Sequence, residues 1–140
     1  MAMEQVSIFI ENKPGRLAEI LRYLAQQNID LRAYSFAETS DFGIMRMIVR
    51  ETDKAVSALK AGGYTARKNI VLGLLVADET GSTVEAFRRL SDAGVNVEYT
   101  YAFALREGKD AFVLLRVDDN AKAEKVLAGA GVQLVNGQNF

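Results

Sequence analysis

Two absences and one loop define the chemistry open to this chain. Its 140 residues include no cysteine and no histidine, which removes disulfides, thiolate nucleophiles, thiolate metal sites and the side chain best suited to proton transfer near neutral pH. Catalysis would have to rest on carboxylates, Lys or Tyr, so the chain is expected not to be an enzyme and to use no metal or cofactor. The loop is Asn12-Lys13-Pro14-Gly15-Arg16-Leu17, which holds the only proline. Proline is favoured at the opening of a helix, and glycine lets the backbone turn tightly and approach a ligand. Free amides at a helix N-terminus attract a carboxylate, the helix dipole adding about 0.3–1 kcal/mol. An amino acid brings such a carboxylate, and its ammonium would need the side-chain oxygens of Asn12, Asp30 or Asn96. The same loop also reads as an ordinary helix start, with Asn12 as cap and Pro14-Gly15 steering the chain.

The elements around this loop follow from hydrophobic spacing. Val6, Ile8 and Ile10 alternate as in a strand, whereas Leu17, Ile20, Leu21 and Leu24 line one face of a helix that Asn28 ends. Ile29, Leu31 and Ala33 alternate again, and Ser40-Asp41 turns the chain into a third strand over Ile44 to Val49. Ala55, Ala58 and Leu59 mark a second helix that stops at Gly62-Gly63, before a strand starting near Thr65. The order is βαββαβ.

That order restarts near Ile70. An offset of 66 residues carries Gly15 onto Gly81, Glu19 onto Glu85, Arg22 onto Arg88 and Leu24 onto Leu90. After a longer hairpin at Glu107-Gly108-Lys109, an offset of 68 carries Ala55 onto Ala123, Leu59 onto Leu127 and Gly63 onto Gly131. Two constant offsets joined by one insertion at a turn indicate a duplication, with repeats expected at residues 1–69 and 70–140. Each repeat is then an α+β unit, a ferredoxin-like antiparallel sheet with helices on one face. The other face, assigned Phe9, Tyr34, Phe36, Ile44, Ile48, Leu75, Phe112 and Leu114, is too apolar for water and predicts a homodimer. Tyr99, Tyr101 and Phe103 alternate on one strand and are expected in the core more than around a pocket.

The segment Ile8 to Leu31 resembles the ACT domain, a regulatory module that binds amino acids in several biosynthetic enzymes. The resemblance rests on the Asn12 to Leu17 loop between strand and helix and on Asn28-Ile29-Asp30-Leu31 after it. The second repeat keeps the positions with an eroded motif, Asp78-Glu79-Thr80-Gly81-Ser82-Thr83. The resemblance implies a tandem ACT protein with ligand held between the repeats. Asn12, Gly15 and Leu17 would face Asn96 and Val97, while Asp78, Gly81 and Thr83 would face Asp30 and Leu31, with Lys13, Pro14, Arg16 and Ser82 as further ligand-binding residues of the two loops. In the serine-binding branch of that family a His stands two positions before the loop Asn; here Ile10 and Val76 stand there. The expected ligand is therefore a free aliphatic or aromatic amino acid rather than serine. Asp78 and Glu79 put negative charge where a carboxylate would arrive, so the first site is expected to be the stronger.

Composition narrows the partners. Seventeen Lys and Arg against eighteen Asp and Glu leave a charge of −1, which offers no basic field for nucleic acid. The third strand also lacks the stacking aromatics of RNA-binding βαββαβ domains. The longest apolar stretch, Ile70 to Ala77, has strand length, and Met1-Ala2-Met3 lacks a signal-peptide profile, so a cytoplasmic protein without membrane contact is expected. Regulation would act on a separate enzyme. Two alternatives stay open: a small acylphosphatase-like enzyme using Arg16 and Asn12, and an interaction module without a small ligand.

Overall fold

The computed structural model describes residues 2–104, 108–130 and 132–136. Along the chain run β1 (Met3–Glu11), α1 (Arg16–Gln26), β2 (Leu31–Glu38), β3 (Phe42–Val49), α2 (Thr52–Ala61) and β4 (Thr65–Ala77). There follow α3 (Val84–Asp92), β5 (Val97–Ala104), β6 (Asp110–Val117), α4 (Asn120–Ala128) and β7 (Gln133–Val135). The chain divides into two compact units, Glu4–Asn69 and a second that begins at Ile70 and takes in Met3. β4 is one uninterrupted strand whose opening residues belong to the first unit and whose remainder belongs to the second.

In the first unit β1 lies between β3 and the start of β4, with β2 outside β3. The helix-side core gathers Val6, Ile8 and Ile10 of β1, Ile20 and Leu24 of α1, Met45 and Met47 of β3, and Ala55 and Leu59 of α2. Ile20 and Leu24 sit four residues apart, on one face of α1, and each buried aliphatic side chain contributes about 1.5–3 kcal/mol. In the second unit β4 lies between β6 and β7, with β5 outside β6. Leu72, Leu74, Val76, Leu90, Val113, Leu115 and Leu127 form its core. Both units are ferredoxin-like βαββαβ folds.

The duplication is visible in the backbone. β2 and β5 begin and end 66 residues apart, β3 and β6 68 apart, and α2 and α4 start 68 apart. Lys13 N–H donates to the Glu11 carbonyl as Glu79 N–H does to that of Ala77, and Ile29 N–H to Leu24 as Val95 N–H to Leu90. Asn28 (φ 56°) and Gly94 (φ 76°) end α1 and α3 in the same left-handed conformation, which Asn and Gly tolerate best. Glu107 and Gly131, used to set the second offset, lie outside the described residues.

One register differs from the alternation expected for β2. A bulge between Leu31 and Ala33 shifts the pairing, so Leu31 faces Val49 while Ala33 faces Ile48. Beyond it Tyr34 and Phe36 stand opposite Met47 and Met45, on the helix side of the sheet. Their assignment to the open face is therefore corrected: the extra residue inverts which parity points inward. Phe9 and Ile44 do pair on the open face, and Leu75, Phe112 and Leu114 face away from the second core. Tyr99, Tyr101 and Phe103 are half-buried beside Arg116, Leu114 and Phe112 on that same open face, outside the helix-side core. The rings of Phe103 and Phe112 stack at 5.5 Å.

Candidate functional site

The loop between β1 and α1 is built on Gly15, whose φ of 86° places it in the left-handed region at the N-cap. An L side chain there would be strained, and Gly supplies the turn without cost. Pro14 stands one position before the cap, and Arg16 N–H donates to the Lys13 carbonyl to close the turn. No side chain caps α1. Asn12 instead looks back to the β2–β3 hairpin: its Nδ2 donates to Glu38 Oε2 at 2.9 Å and to the Thr39 carbonyl at 3.3 Å, and its N–H donates to the Asp41 carbonyl. Among the described contacts none uses Asn12 Oδ1, which stays available as an acceptor. The reading of Asn12 as a plain helix cap is thus not what the geometry shows.

The loop's cations are partly neutralised at home. Glu11 accepts an ion pair from Lys13 at 3.0 Å and lies 3.9 Å from Arg16, which also meets Glu19 at 3.1 Å. The hydrogen bond from Lys13, then the charges of Lys13 and Arg16, hold the Glu11 carboxyl below its ordinary range. These pairs are exposed and leave both cations free to reorient toward a stronger anion. Leu17 packs against the core behind the loop. The part played by Glu11, Glu38, Thr39 and Asp41 was not read from the sequence. Glu11 adjoins the motif and Glu38 ends a strand, but only the hairpin register places Glu38, Thr39 and Asp41 around Asn12.

The equivalent loop of the second unit keeps the backbone and changes the side chains. Gly81 is left-handed at φ 82°, Ser82 N–H donates to the Glu79 carbonyl as Arg16 does to Lys13, and Asp78 N–H donates to the Lys109 carbonyl. Thr83 is the N-cap of α3, again without a side-chain cap. Ser82 lines a cleft of ≈ 400 Å³ at the end of β4. A second depression of ≈ 590 Å³ lies between α3 and α4, lined by Arg88, Arg89 and Lys125. Its guanidiniums are already engaged, Arg88 with Glu85 and Asp92, and Arg89 with Glu85 and the Gly129 carbonyl.

The strand residues lie apart from the loop of their own unit. Glu38 pairs with Gly43 beside Asn12's neighbours, while Leu31 pairs with Val49 at the far end of the same ladder, about seven residues or roughly 23 Å away along the strand. Asp30 is exposed there and pairs with Arg32 at 3.5 Å. In the second unit Val97 pairs with Val117, remote from Asp78 beside Ala77, and Asn96 exchanges hydrogen bonds with Asp118. No unit on its own brings its loop together with its own Asp30–Leu31 or Asn96–Val97. Among the described residues no cluster of acidic side chains forms a metal centre, and no helix is long and apolar enough to cross a membrane.

Protein BT0572 from Bacteroides thetaiotaomicron has a structure similar to this one, with 39% identity, a TM-score of 0.90, and coverage of 96% of this chain and 92% of that one. The regulatory subunit of aspartate kinase from Thermus flavus shares the fold at 14% identity and TM-score 0.65, covering 91% of each chain. The ligand-free regulatory subunit from Thermus thermophilus does so at 17% and 0.61, covering 91% of this chain and 92% of that one. No curated protein matches the chain. The family model for the ACT domain pair matches residues 1–140, and with two left-handed glycine loops at one offset and two βαββαβ units, the chain belongs to the ACT domain pair family.

Proposed function

We propose that this chain is a non-catalytic sensor that binds a free amino acid and regulates a separate enzyme in the cytoplasm, its binding units being the repeats 1–69 and 70–140. The observation that carries the reading is the Asn12–Leu17 loop. Gly15 turns the chain so that α1 opens without a side-chain cap, the amides of Leu17 and Ala18, past the Arg16 amide engaged by Lys13, being left for a carboxylate. Lys13 and Arg16 supply exposed cations beside them, and Asn12 Oδ1 is an acceptor for the ammonium. Asp30, Leu31, Asn96 and Val97 are proposed as the strand-side contacts, and Asp78, Gly81, Ser82 and Thr83 as the weaker second loop. The aspartate kinase regulatory subunits of the same fold make amino-acid metabolism the natural setting. Ile10 and Val76 stand where the serine-binding branch carries a His, which favours an aliphatic or aromatic ligand over serine.

An acylphosphatase-like reaction is disfavoured because the Asn12 amide, which would have to donate to a phosphoryl oxygen, already donates to Glu38 and the Thr39 carbonyl. Ile48, Phe112 and Leu114 of the face opposite the helices are buried within the chain, so a homodimer is proposed only around Phe9, 41% accessible under the Arg67 guanidinium at 5.7 Å; a monomeric mass by light scattering at micromolar concentration would remove that part. The sensor reading is tested by thermal shift with the common amino acids. Binding at a hundred times the dissociation constant adds about 2.7 kcal/mol of stability, and Asn12→Ala should abolish the rise. If no amino acid raises the Tm, the reading is wrong.

A further inference from the structure

The two loops share a backbone, yet what surrounds the end of the first strand of each repeat differs. At the offsets of the duplication, Glu11, Arg16 and Tyr64 of the first unit become Ala77, Ser82 and Val132 of the second. In the first unit those three are large and tied together: Arg16 reaches Glu11 and Glu19, and Tyr64 packs on Tyr23 at 5.5 Å with its hydroxyl 3.5 Å from Glu19. In the second unit their small counterparts line the cleft of ≈ 400 Å³ where β4 ends and β7 begins. That volume falls within the range of small-molecule sites, about 300–1,000 Å³. A fourth exchange gives the cleft its chemistry: the position of exposed Phe42 is taken by Asp110, which lines the mouth.

We infer that the second repeat holds a binding site of its own in this cleft, for a small organic ammonium on an apolar body the size of a branched four- or five-carbon chain. The cleft lies at the edge of β4, with Val76 and Val132 on its helix side and Leu75 on the other face of the sheet, and Asp110, paired with Ala77, provides the counter-charge. Among the described residues no ion pair or side-chain hydrogen bond engages Asp110, Ser82 or Gln133. An exposed carboxylate at the mouth, with no cation of its own, attracts a ligand that brings one there. The Ser82 hydroxyl and Gln133 amide stand ready to donate to a carboxylate where the ligand has one. The ammonium can come from a simple amine or from an amino acid. The inference goes beyond the first-loop site and shares only Ser82 with the loop reading.

Methyl NMR of the full chain decides it, with 3-methylbutylamine, leucine and 3-methylbutanoate as probes. The amine should shift the methyl resonances of Leu75, Val76 and Val132 in a saturable way, and 3-methylbutanoate should not. Asp110→Asn, an exposed and nearly isosteric change, should weaken the amine about two- to fivefold, and Ser82→Arg, which restores the first unit's residue, should abolish the shifts. Leucine binding more tightly than the amine assigns the hydroxyl and amide to its carboxylate; equal affinity leaves the ammonium as the feature recognised, and both results support the site. An amine that moves none of these methyls, a carboxylate that binds as well as the amine, or an unchanged affinity in Asp110→Asn would each overturn it. Amino acids that still raise the Tm of Asp110→Asn while the amine is silent would refute the cleft alone. Methyl shifts from the amine with no thermal response to any amino acid would refute the first-loop reading alone.

Discussion

Substituting Gly43 by alanine should expose how closely Phe36 is fitted over β3. A Cβ at residue 43 would stand 2.2 Å from Cζ and 2.4 Å from Cε2 of Phe36, against an ordinary carbon contact of about 3.5–4.0 Å. Something must move by more than an ångström, and overpacking of this kind costs about 1–3 kcal/mol. Phe36→Ala removes a half-buried ring and should cost about 2 kcal/mol, roughly half the 3–5 kcal/mol of a fully buried one. The two changes should not add. Without the ring the new methyl meets open space, and the loss of a glycine from the unfolded chain returns about 0.4–1 kcal/mol, so the double variant should be about as stable as Phe36→Ala alone. The second repeat carries this combination naturally, with Ala102 and Ala111 at the equivalent positions. Urea unfolding of the four proteins, compared at constant m-value, measures the coupling. A double variant whose loss equals the sum of the single losses within about 0.5 kcal/mol would refute the clash.

Three further outcomes are expected. Gly94→Ala should cost about 1–2 kcal/mol because φ 76° is left-handed, and Gly94→Asn distinctly less, since Asn28 holds the same position at φ 56°; equal losses in thermal unfolding would discredit the comparison. Glu85 is drawn from its ordinary 4.5 to about 2 by hydrogen bonds from Arg88 and then Arg89. Its folded value lies below the unfolded one, so the associated stability is present above pH 4.5 and is lost as pH falls toward 2. Carboxyl NMR should show that low midpoint in the native chain and a rise toward 4.5 in Arg88→Ala, whereas a native midpoint near 4.5 would contradict the geometry. Leu90→Ala, at a fully buried position of the second core, should cost about 2–5 kcal/mol by calorimetry.

Much of the fold was legible because its signals were local or repeated. Ile20 and Leu24 declare a helix face by spacing alone, and Gly15 and Gly81 mark the two loops at one offset. Tyr34 and Phe36 were misplaced because a bulge leaves no trace in the alternation of Ile29, Leu31 and Ala33. Of the site, the sequence exposed the loop itself but not its setting. Asn12's hold on Glu38 and Thr39 depends on a hairpin register 26 residues away, and Glu11's pairing with Lys13 was overlooked because it ends a strand. The cleft beside Ser82 depends on Asp110 and Val132, which become neighbours only through the pairing of β4 with β6 and β7.

The bulge in β2 has a counterpart in β5, where the pairing shifts between Val97 and Tyr99. Each repeat therefore reads its second strand in two frames, as a message is read on either side of an inserted letter. Removing Arg32 would take the inserted letter out, leaving Leu31 opposite Val49, Ala33 opposite Ile48 and every later pair unchanged. Removing Ser35, past the bulge, would instead act as a frameshift: Phe36 would turn outward and Ala37 would be asked to line the core. The same strand thus tolerates a lost residue at its bulge and not beyond it.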